Sequence, residues 1–227
     1  MTSIAENIAQ TLTRIREAET EHGRTAESVN LLAVSKTRPA NELREAYSAG
    51  IRDFGENYLQ DAMEKIEQLR DLDICWHFIG PLQSNKTAAV AESFHWVHSI
   101  DRLKIAQRLN KKRSDTMPPL NVCIQINISD ELNKSGVAPE EALQLAEQVS
   151  QLDRLRLRGL MAIPQAGLSD QQQRETFARL HVLFDQLKSL APEMDTLSMG
   201  MTQDMNAAVA EGATIVRIGT AIFGPRN

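Results

Sequence analysis

Leu31-Leu32-Ala33-Val34-Ser35-Lys36 is a short, nearly continuous apolar run that ends in a serine and a lysine. Such a run is typical of a strand buried on both faces of a parallel sheet. A helical pattern follows over residues 41–49, and a second apolar run comes after it at 51–55. This alternation of a short apolar strand with a helix predicts βαβ units.

The same alternation continues along the chain. Six further apolar runs predict six more strands, at 74–79, 96–100, 120–128, 155–163, 196–201 and 215–223. Eight strands separated by helices predict a (β/α)8 barrel of the TIM type, because eight is the number of strands that closes such a barrel. An open, doubly wound parallel sheet is the alternative, because periodicity does not reveal whether a sheet closes.

The N-terminal segment predicts an additional helix. Ser3 and Glu6 have the spacing of a capping box, and apolar residues then recur at helical intervals: Ile4, Ile8, Leu12 and Ile15. No helix is predicted after the eighth strand, where the chain stops, so the N-terminal helix is expected to fill that place in the outer ring. No linker divides the sequence, which predicts one barrel domain over residues 1–227.

Composition and charge exclude several function classes. Hydrophobic residues make up 42% of the 227 and charged residues 24%, as in ordinary folded soluble proteins. The formal net charge of −5 gives no electrostatic reason to bind nucleic acid. No apolar run reaches the roughly 20 residues of a membrane span, and the N-terminus has no signal-peptide pattern. We expect a cytoplasmic protein that binds neither nucleic acid nor membrane.

The remaining motifs predict neither a metal site nor a nucleotide site. Cys75 and Cys123 are far apart, within apolar runs, and are interpreted as two buried thiols. His95 and His98 are three apart and would face opposite ways on a strand, which argues against a metal pair. Residues 80–87 approach a P-loop but carry asparagine where its second glycine is required.

Polar residues at the strand ends carry the chemistry, because barrel active sites form where strands end and βα loops begin. Lys36 closes the first strand. One interpretation is a salt-bridged lysine at the barrel mouth. The other is a partly desolvated amine that attacks an aldehyde, since lysine forms a reversible imine with a carbonyl cofactor.

The ends of strands seven and eight suit a phosphate group. Barrel phosphate sites often form from these two loops, aided by a helix N-terminus. Ser198 and Thr220 offer hydroxyls, and Gly200 and Gly219 allow close backbone approach. Small residues in tight turns are the alternative for either loop, but their presence in both loops favours a phosphate site. Residues 201–204 are expected to begin a short helix.

Arg217 is expected to point into the barrel, because its neighbours Val216 and Ile218 are apolar. A buried guanidinium needs a hydrogen-bond acceptor. Two acceptors are open at this point, the carboxylate of Glu56 or a ligand atom such as a pyridine nitrogen.

Six segments together match a known family. They are LLAVSKT at 31–37, FGENY at 54–58, WHFIGPLQSNK at 76–86, GLM at 159–161, LSMGM at 197–201 and VRIGTAIFG at 216–224. In this order, and over nearly the whole chain, they resemble the YggS/PROSC family of homeostasis proteins that bind pyridoxal 5′-phosphate (PLP). The family often has serine where this chain has Thr202, and both residues cap helices.

The resemblance implies a barrel like the N-terminal domain of alanine racemase, with PLP held as an imine on Lys36. The candidate cofactor-binding residues that it implies are Lys36, Asn57, Ser198, Met199, Arg217, Gly219 and Thr220.

Within that set, the resemblance gives each group a part. Ser198, Gly219 and Thr220 would hold the phosphate. Arg217 would face the pyridine nitrogen, and Asn57 would line the other side of the cofactor.

An arginine at the pyridine nitrogen favours holding PLP over catalysis with it. Arginine stays protonated and can only donate, so the ring nitrogen stays unprotonated and the ring is a weaker electron sink. Related racemases add a catalytic tyrosine from a second domain or a partner subunit, whereas this sequence ends at strand eight and has only Tyr47 and Tyr58. We hypothesise a non-catalytic, monomeric PLP carrier or buffer that affects amino-acid and keto-acid metabolism indirectly. Apo PLP-dependent enzymes are the candidate recipients.

Two other function classes stay open. A PLP-dependent amino-acid racemase would need a second base, for which His77 and Tyr58 are the candidates. A barrel that serves only as a protein-interaction module would leave Lys36 with a structural role. In a polar loop, Lys134 is either a secondary PLP contact during transfer or an ordinary surface lysine.

Overall fold

The computed structural model describes residues 3–129 and 135–225 and shows a closed barrel of eight parallel strands. The strands are β1 (Asn30–Val34), β2 (Asp53–Glu56), β3 (Cys75–Phe78), β4 (Trp96–Ile100), β5 (Leu120–Ile126), β6 (Leu155–Ala162), β7 (Thr196–Ser198) and β8 (Ile215–Ile218). Each strand pairs with the next one along the chain. The predicted (β/α)8 fold is confirmed, and a single domain over residues 1–227 stays a prediction.

Pairing of the first strand with the last closes the barrel. β1 runs parallel to β8 in a register that extends from Asn30 opposite Ile215 to Ala33 opposite Ile218. In an open doubly wound sheet, the first strand and the last strand would not pair with each other. That alternative is therefore excluded.

Helices lie between the strands and cover the barrel. They are α1 (Ile4–Glu21), α2 (Ala40–Ser48), α3 (Leu59–Gln68), α4 (Thr87–Ser93), α5 (Leu103–Lys112), α6 (Pro139–Ser150), α7 (Asp170–Lys188), α8 (Met205–Ala210) and α9 (Thr220–Phe223). No helix in the described ranges is long and apolar enough to cross a membrane.

The N-terminal helix forms as predicted. The backbone N–H of Glu6 donates to Oγ of Ser3, and the backbone N–H of Ser3 donates to the carboxylate of Glu6. This completes the capping box. α1 then packs against α2, α8 and α9, with Ile8 and Ile15 buried. It takes the predicted place beside the end of the last strand.

The prediction was wrong at the end of strand eight, where residues 220–223 form α9 instead of continuing the strand. The N–H groups of Ile222 and Phe223 both donate to the carbonyl of Gly219 at 2.9 Å. The carbonyl of Ile222 in turn accepts from the side chain of Asn7 on α1. The apolar run continues because Ile222 and Phe223 are buried beside α1, although the backbone has become helical. A short helix thus follows the eighth strand.

Two apolar clusters lie on the two faces of the barrel strands. The large cluster joins outward-facing strand residues such as Phe54 and Val216 to the helices. A small cluster of Leu32, Ile79 and Ile215 lies on the inner face. The rest of the inner face includes polar side chains, and these form the site described below.

Replacing Gly159 with alanine is expected to lower the free energy of unfolding by about 3 kcal/mol, because the barrel wall leaves no room for a Cβ. A Cβ there would lie 1.7 Å from the carbonyl oxygen of Thr196 on β7. Gly167→Ala is the control, since its Cβ would meet nothing within 4 Å and only its φ of +80° is unfavourable. It should cost about 1 kcal/mol in urea unfolding. Equal losses for the two variants would contradict the prediction.

Candidate functional site

Several predicted site residues meet at one mouth of the barrel. β1 lies between β2 and β8. Lys36 follows β1, Asn57 follows β2, and Gly219 and Thr220 follow β8. Because the three strands are parallel, their carboxyl ends open at the same mouth.

A strained turn holds Lys36. The N–H of Arg38 donates to the carbonyl of Ser35 at 3.0 Å and closes the turn around the half-buried Lys36. Thr37 has a φ of 66°, in the left-handed region that β-branched residues rarely adopt. A conformation of this kind costs about 1–3 kcal/mol and persists where the surroundings enforce it, commonly at binding sites.

A buried ion pair anchors this turn. Nζ of Lys65 donates to the carbonyl of Ser35 at 2.9 Å, and to the carboxylates of Glu56 and Asp61, each at 2.8 Å. Oγ of Ser35 donates to Glu56 at 2.6 Å, and the N–H of Thr37 donates to Asp61. Burial raises the pKa of Glu56, and the ammonium of Lys65 opposes that rise.

This anchor is not evident in the sequence. Its one local signal is the pair Asp61 and Lys65, four residues apart on α3 and therefore on one helix face. Of its other two partners, Ser35 directly follows β1 and Glu56 ends β2, so they come together only when these two strands pair.

The side chain of Arg217 lies inside the barrel, as its apolar neighbours predict. Its Nη1 donates to the carbonyl of Ser198 at 2.5 Å and to Oγ of Ser198 at 2.8 Å, and its Nη2 donates to the carbonyl of Ala162 at 2.8 Å. Glu56, one of the two acceptors predicted for Arg217, pairs with Lys65 instead. Burial lowers the pKa of Arg217 to about 10. This value is still above neutral pH, so the guanidinium stays charged.

The side chains of Ser198 and Met199, at the end of β7, are both fully buried. The hydroxyl of Ser198 is fully buried between Arg217 and Nδ1 of His98, to which it is hydrogen-bonded at 2.8 Å. Met199 is buried in the large cluster outside the barrel, and its N–H donates to the carbonyl of Ile215. The side chain of Ser198 thus contacts the arginine, and any contact of Met199 with a ligand at the mouth would come from its backbone.

The glycines beyond strands seven and eight are required by the packing of the chain itself. A Cβ on Gly219 would lie 3.1 Å from the carbonyl oxygen of Val34, and a Cβ on Gly200 would lie 2.5 Å from the Cβ of Ala208. Immediately after Gly219, α9 begins at Thr220. The predicted short helix of the other loop begins at Met205, after the turn of residues 202–204.

Asn57 has a buried acceptor that the described residues leave unsatisfied. It lines a cleft of about 290 Å³ together with Ile79, Gln125 and Ile163. Its Oδ1 is buried and accepts no hydrogen bond from the described part of the chain. Leaving such an atom unpaired costs about 1–3 kcal/mol, so it is a natural contact for a ligand. Gly80 packs against the backbone of Asn57, where a Cβ would lie 2.2 Å from its carbonyl oxygen.

A chain of hydrogen bonds fills the barrel below Arg217. From Ser198, bonded to Arg217, it continues through His98 and His77, whose Nε2 and Nδ1 are 2.9 Å apart. It ends at Asp53, whose Oδ1 is 2.9 Å from Nε2 of His77. Burial lowers the pKa of both histidines, and that of His98 lies well below 6.5. His98 is therefore neutral, and it connects Ser198 to His77 by hydrogen bonds without adding a charge.

The two candidate second bases lie in different surroundings. His77 is buried and lies beyond both His98 and Ser198 in the hydrogen-bonded chain that descends from Arg217. Tyr58 is 60% exposed and lines a cleft with Thr37 and Asp61, beside the turn that holds Lys36. The predicted role of Lys134 lies outside the described residues.

The interpretation of two buried thiols is wrong for one cysteine. Cys75 is only half-buried, and its Sγ lies 3.3 Å from Nε2 of His77. His95 makes a separate contact, since its Nδ1 accepts from the backbone N–H of Trp76 at 3.0 Å. Burial raises the pKa of the Cys75 thiol to about 12, with a smaller contribution from the carboxylate of Asp53.

Comparison with known proteins identifies the family. The model of the alanine racemase N-terminal domain matches residues 7–227. The pyridoxal phosphate homeostasis protein of Pseudomonas aeruginosa is 59% identical over 227 residues, which cover all of this chain and 97% of that protein. The chain belongs to the family of pyridoxal phosphate homeostasis proteins. The homeostasis protein of Escherichia coli K12 is 54% identical, over all of this chain and 98% of its own length.

Solved structures agree with this assignment. A PLP-bound structure of PipY from Synechococcus elongatus is 38% identical to this chain and has a TM-score of 0.84. The match covers 98% of this chain and all of the PipY chain. An alanine racemase of Clostridium difficile shares the fold, with a TM-score of 0.75 at 14% identity, and this chain spans 57% of it. This chain therefore covers nearly the whole of the two homeostasis proteins but only 57% of the racemase.

Lys65→Met is expected to lower the free energy of unfolding by about 3–5 kcal/mol, because it leaves the buried carboxylate of Glu56 without its ammonium partner. Lys65 and Glu56 are 3% and 0% exposed. Adding Glu56→Gln removes the unpaired charge, so the double variant should recover part of the loss in urea unfolding. A double variant less stable than Lys65→Met alone would contradict this account.

Proposed function

We propose that this chain binds PLP through Lys36 and acts in PLP homeostasis, as a monomeric carrier or buffer in the cytoplasm. The observation that carries the proposal is the meeting of Lys36, Asn57 and the start of α9 at one mouth. It occurs in a chain 59% identical to a pyridoxal phosphate homeostasis protein.

The residues at the mouth fit PLP by their chemistry. When bound, PLP supplies an aldehyde and a pyridine ring that withdraws electrons best when its nitrogen is protonated. The turn at Thr37 and its anchor to Lys65 orient the amine of Lys36 for that aldehyde. The phosphate is assigned to Gly219 and Thr220, where the backbone N–H groups at the start of α9 have no acceptor within the helix. Asn57 presents its unsatisfied Oδ1 on the other side.

Arg217 supports storage of the cofactor over catalysis. Two carbonyls and the hydroxyl of Ser198 hold its guanidinium in place, and a protonated guanidinium can only donate. An acceptor placed against it stays unprotonated. We assign Ser198 the role of positioning Arg217, and Met199 a contact through its backbone. The absence of turnover and the transfer of PLP to apo-enzymes are parts of the proposal that experiment must test.

Borohydride reduction of the PLP-loaded protein, followed by peptide mass mapping, tests the covalent site. We expect the pyridoxyl group on the peptide that contains Lys36, because this amine lies at the mouth beside the proposed phosphate site. Lys36→Ala should lose the adduct and the visible absorption of bound PLP. Lys104→Ala is the matched control on the exposed surface of α5 and should keep both. An adduct that persists in Lys36→Ala would overturn the proposal.

Racemisation and transamination assays separate a carrier from an enzyme. Because Arg217 can only donate to the ring nitrogen, we expect turnover no higher than that of free PLP under the same conditions. The loaded protein should reactivate an apo PLP-dependent enzyme, and Lys36→Ala incubated with the same PLP and then desalted should not. Robust turnover that Lys36→Ala abolishes would instead establish the racemase-like alternative.

A further inference from the structure

Three potential metal ligands meet at the opposite end of the barrel interior from Lys36. Asp53 begins β2 and Cys75 begins β3, opposite each other in the sheet register, and His77 follows two residues along β3. One ligand atom from each lies within 4.8 Å of the other two. The sequence carries part of this signal, because Cys75 and His77 are two apart on one strand and face the same way.

The distances are close to those of a tetrahedral zinc site. Nε2 of His77 lies 2.9 Å from Oδ1 of Asp53 and 3.3 Å from Sγ of Cys75. Ordinary zinc bond lengths place ligand atoms about 3.3 Å apart for a nitrogen and an oxygen, and about 3.5 Å apart for a nitrogen and a sulfur. The two distances from His77 therefore differ from that geometry by a few tenths of an ångström, and the ligand atoms of Asp53 and Cys75 lie within 4.8 Å of each other.

The surroundings hold His77 as a metal ligand is usually held. Its other ring nitrogen, Nδ1, is hydrogen-bonded to Nε2 of His98, and the ring stacks on Trp96 at an interplanar angle of 7°. A hydrogen bond of this kind to the outer nitrogen orients a histidine toward its metal.

The ligand atoms can be reached from solvent. The carboxylate side chain of Asp53 is 43% exposed and Cys75 is half-buried, whereas His77 is buried behind them. A cation can therefore enter past Asp53. The proposed cofactor mouth lies at the other ends of these strands, so the two sites do not compete for space.

We propose that Asp53, Cys75 and His77 form a binding site for one Zn²⁺ ion, with water as the fourth ligand. Sulfur, imidazole nitrogen and carboxylate oxygen together are a donor set that zinc accepts and that calcium and magnesium do not. Binding breaks the S–H bond of Cys75, releases its proton to solvent and forms the zinc–thiolate bond. The ring proton of His77 then resides on Nδ1, facing His98. No electron transfer is involved.

The test uses the full chain, reduced, freed of PLP and treated with a chelator. Zn²⁺ affinity is measured by competition with a chromogenic chelator, and Co²⁺ is added as a spectroscopic substitute. We expect one Zn²⁺ per chain and a near-ultraviolet absorption band from thiolate coordination of Co²⁺. Cys75→Ser should abolish the band and weaken Zn²⁺ binding by about 100-fold or more, since loss of an outer partner alone costs about 10–100-fold.

Three further variants make the result specific. Asp53→Asn should weaken Zn²⁺ binding by about 10-fold while keeping the cobalt–thiolate band. Cys123→Ala, at the other cysteine, should leave affinity and band unchanged. Lys36→Ala should also bind Zn²⁺ normally, so that failure of the cofactor proposal and failure of this one are distinguishable. Circular dichroism checks that each variant folds. Absence of stoichiometric binding, or Zn²⁺ affinity unchanged in folded Cys75→Ser, would overturn the proposal.

Discussion

The pairing of β8 with β1 is the constraint on which the rest of the structure depends. It closes the sheet and leaves no unpaired edge. It also brings the backbone at Gly219 so near Val34 that an added Cβ would approach its carbonyl oxygen to 3.1 Å. Because Lys36 is two residues beyond Val34, closure of the barrel is also what sets the lysine beside the start of α9. The fold and the candidate site thus have a common origin.

Much of the architecture could be predicted from the sequence because each strand is apolar and bounded by turns. Residues 96–100, for example, were predicted as a strand with the bounds that β4 has. The prediction failed at 220–223 because apolar residues there continue through a change from extended to helical backbone. Ile222 and Phe223 are buried in the helix, and hydropathy alone does not distinguish a buried helix from a buried strand.

The site was predictable only in part, for a different reason. Lys36 stands out in the sequence because a charge ends an apolar strand. The polar interior does not stand out, because Asp53, His77, His98 and Ser198 come from four strands, and each has its partner on another strand. A TIM barrel is usually filled by layers of branched apolar side chains. Here a hydrogen-bonded row replaces part of that filling, and its members satisfy one another's polar groups.

The anchor beneath the Lys36 turn has a consequence for chemoselectivity. Two amines, those of Lys36 and Lys65, approach the end of β1. All three N–H bonds of Lys65 point to acceptors, two of them carboxylate oxygens of Glu56 and Asp61. An ammonium held in this way has no lone pair with which to attack a carbonyl carbon. The contacts that stabilise the turn therefore also keep Lys65 from acting as a nucleophile, which leaves Lys36 as the amine of the two to which the proposed imine is assigned.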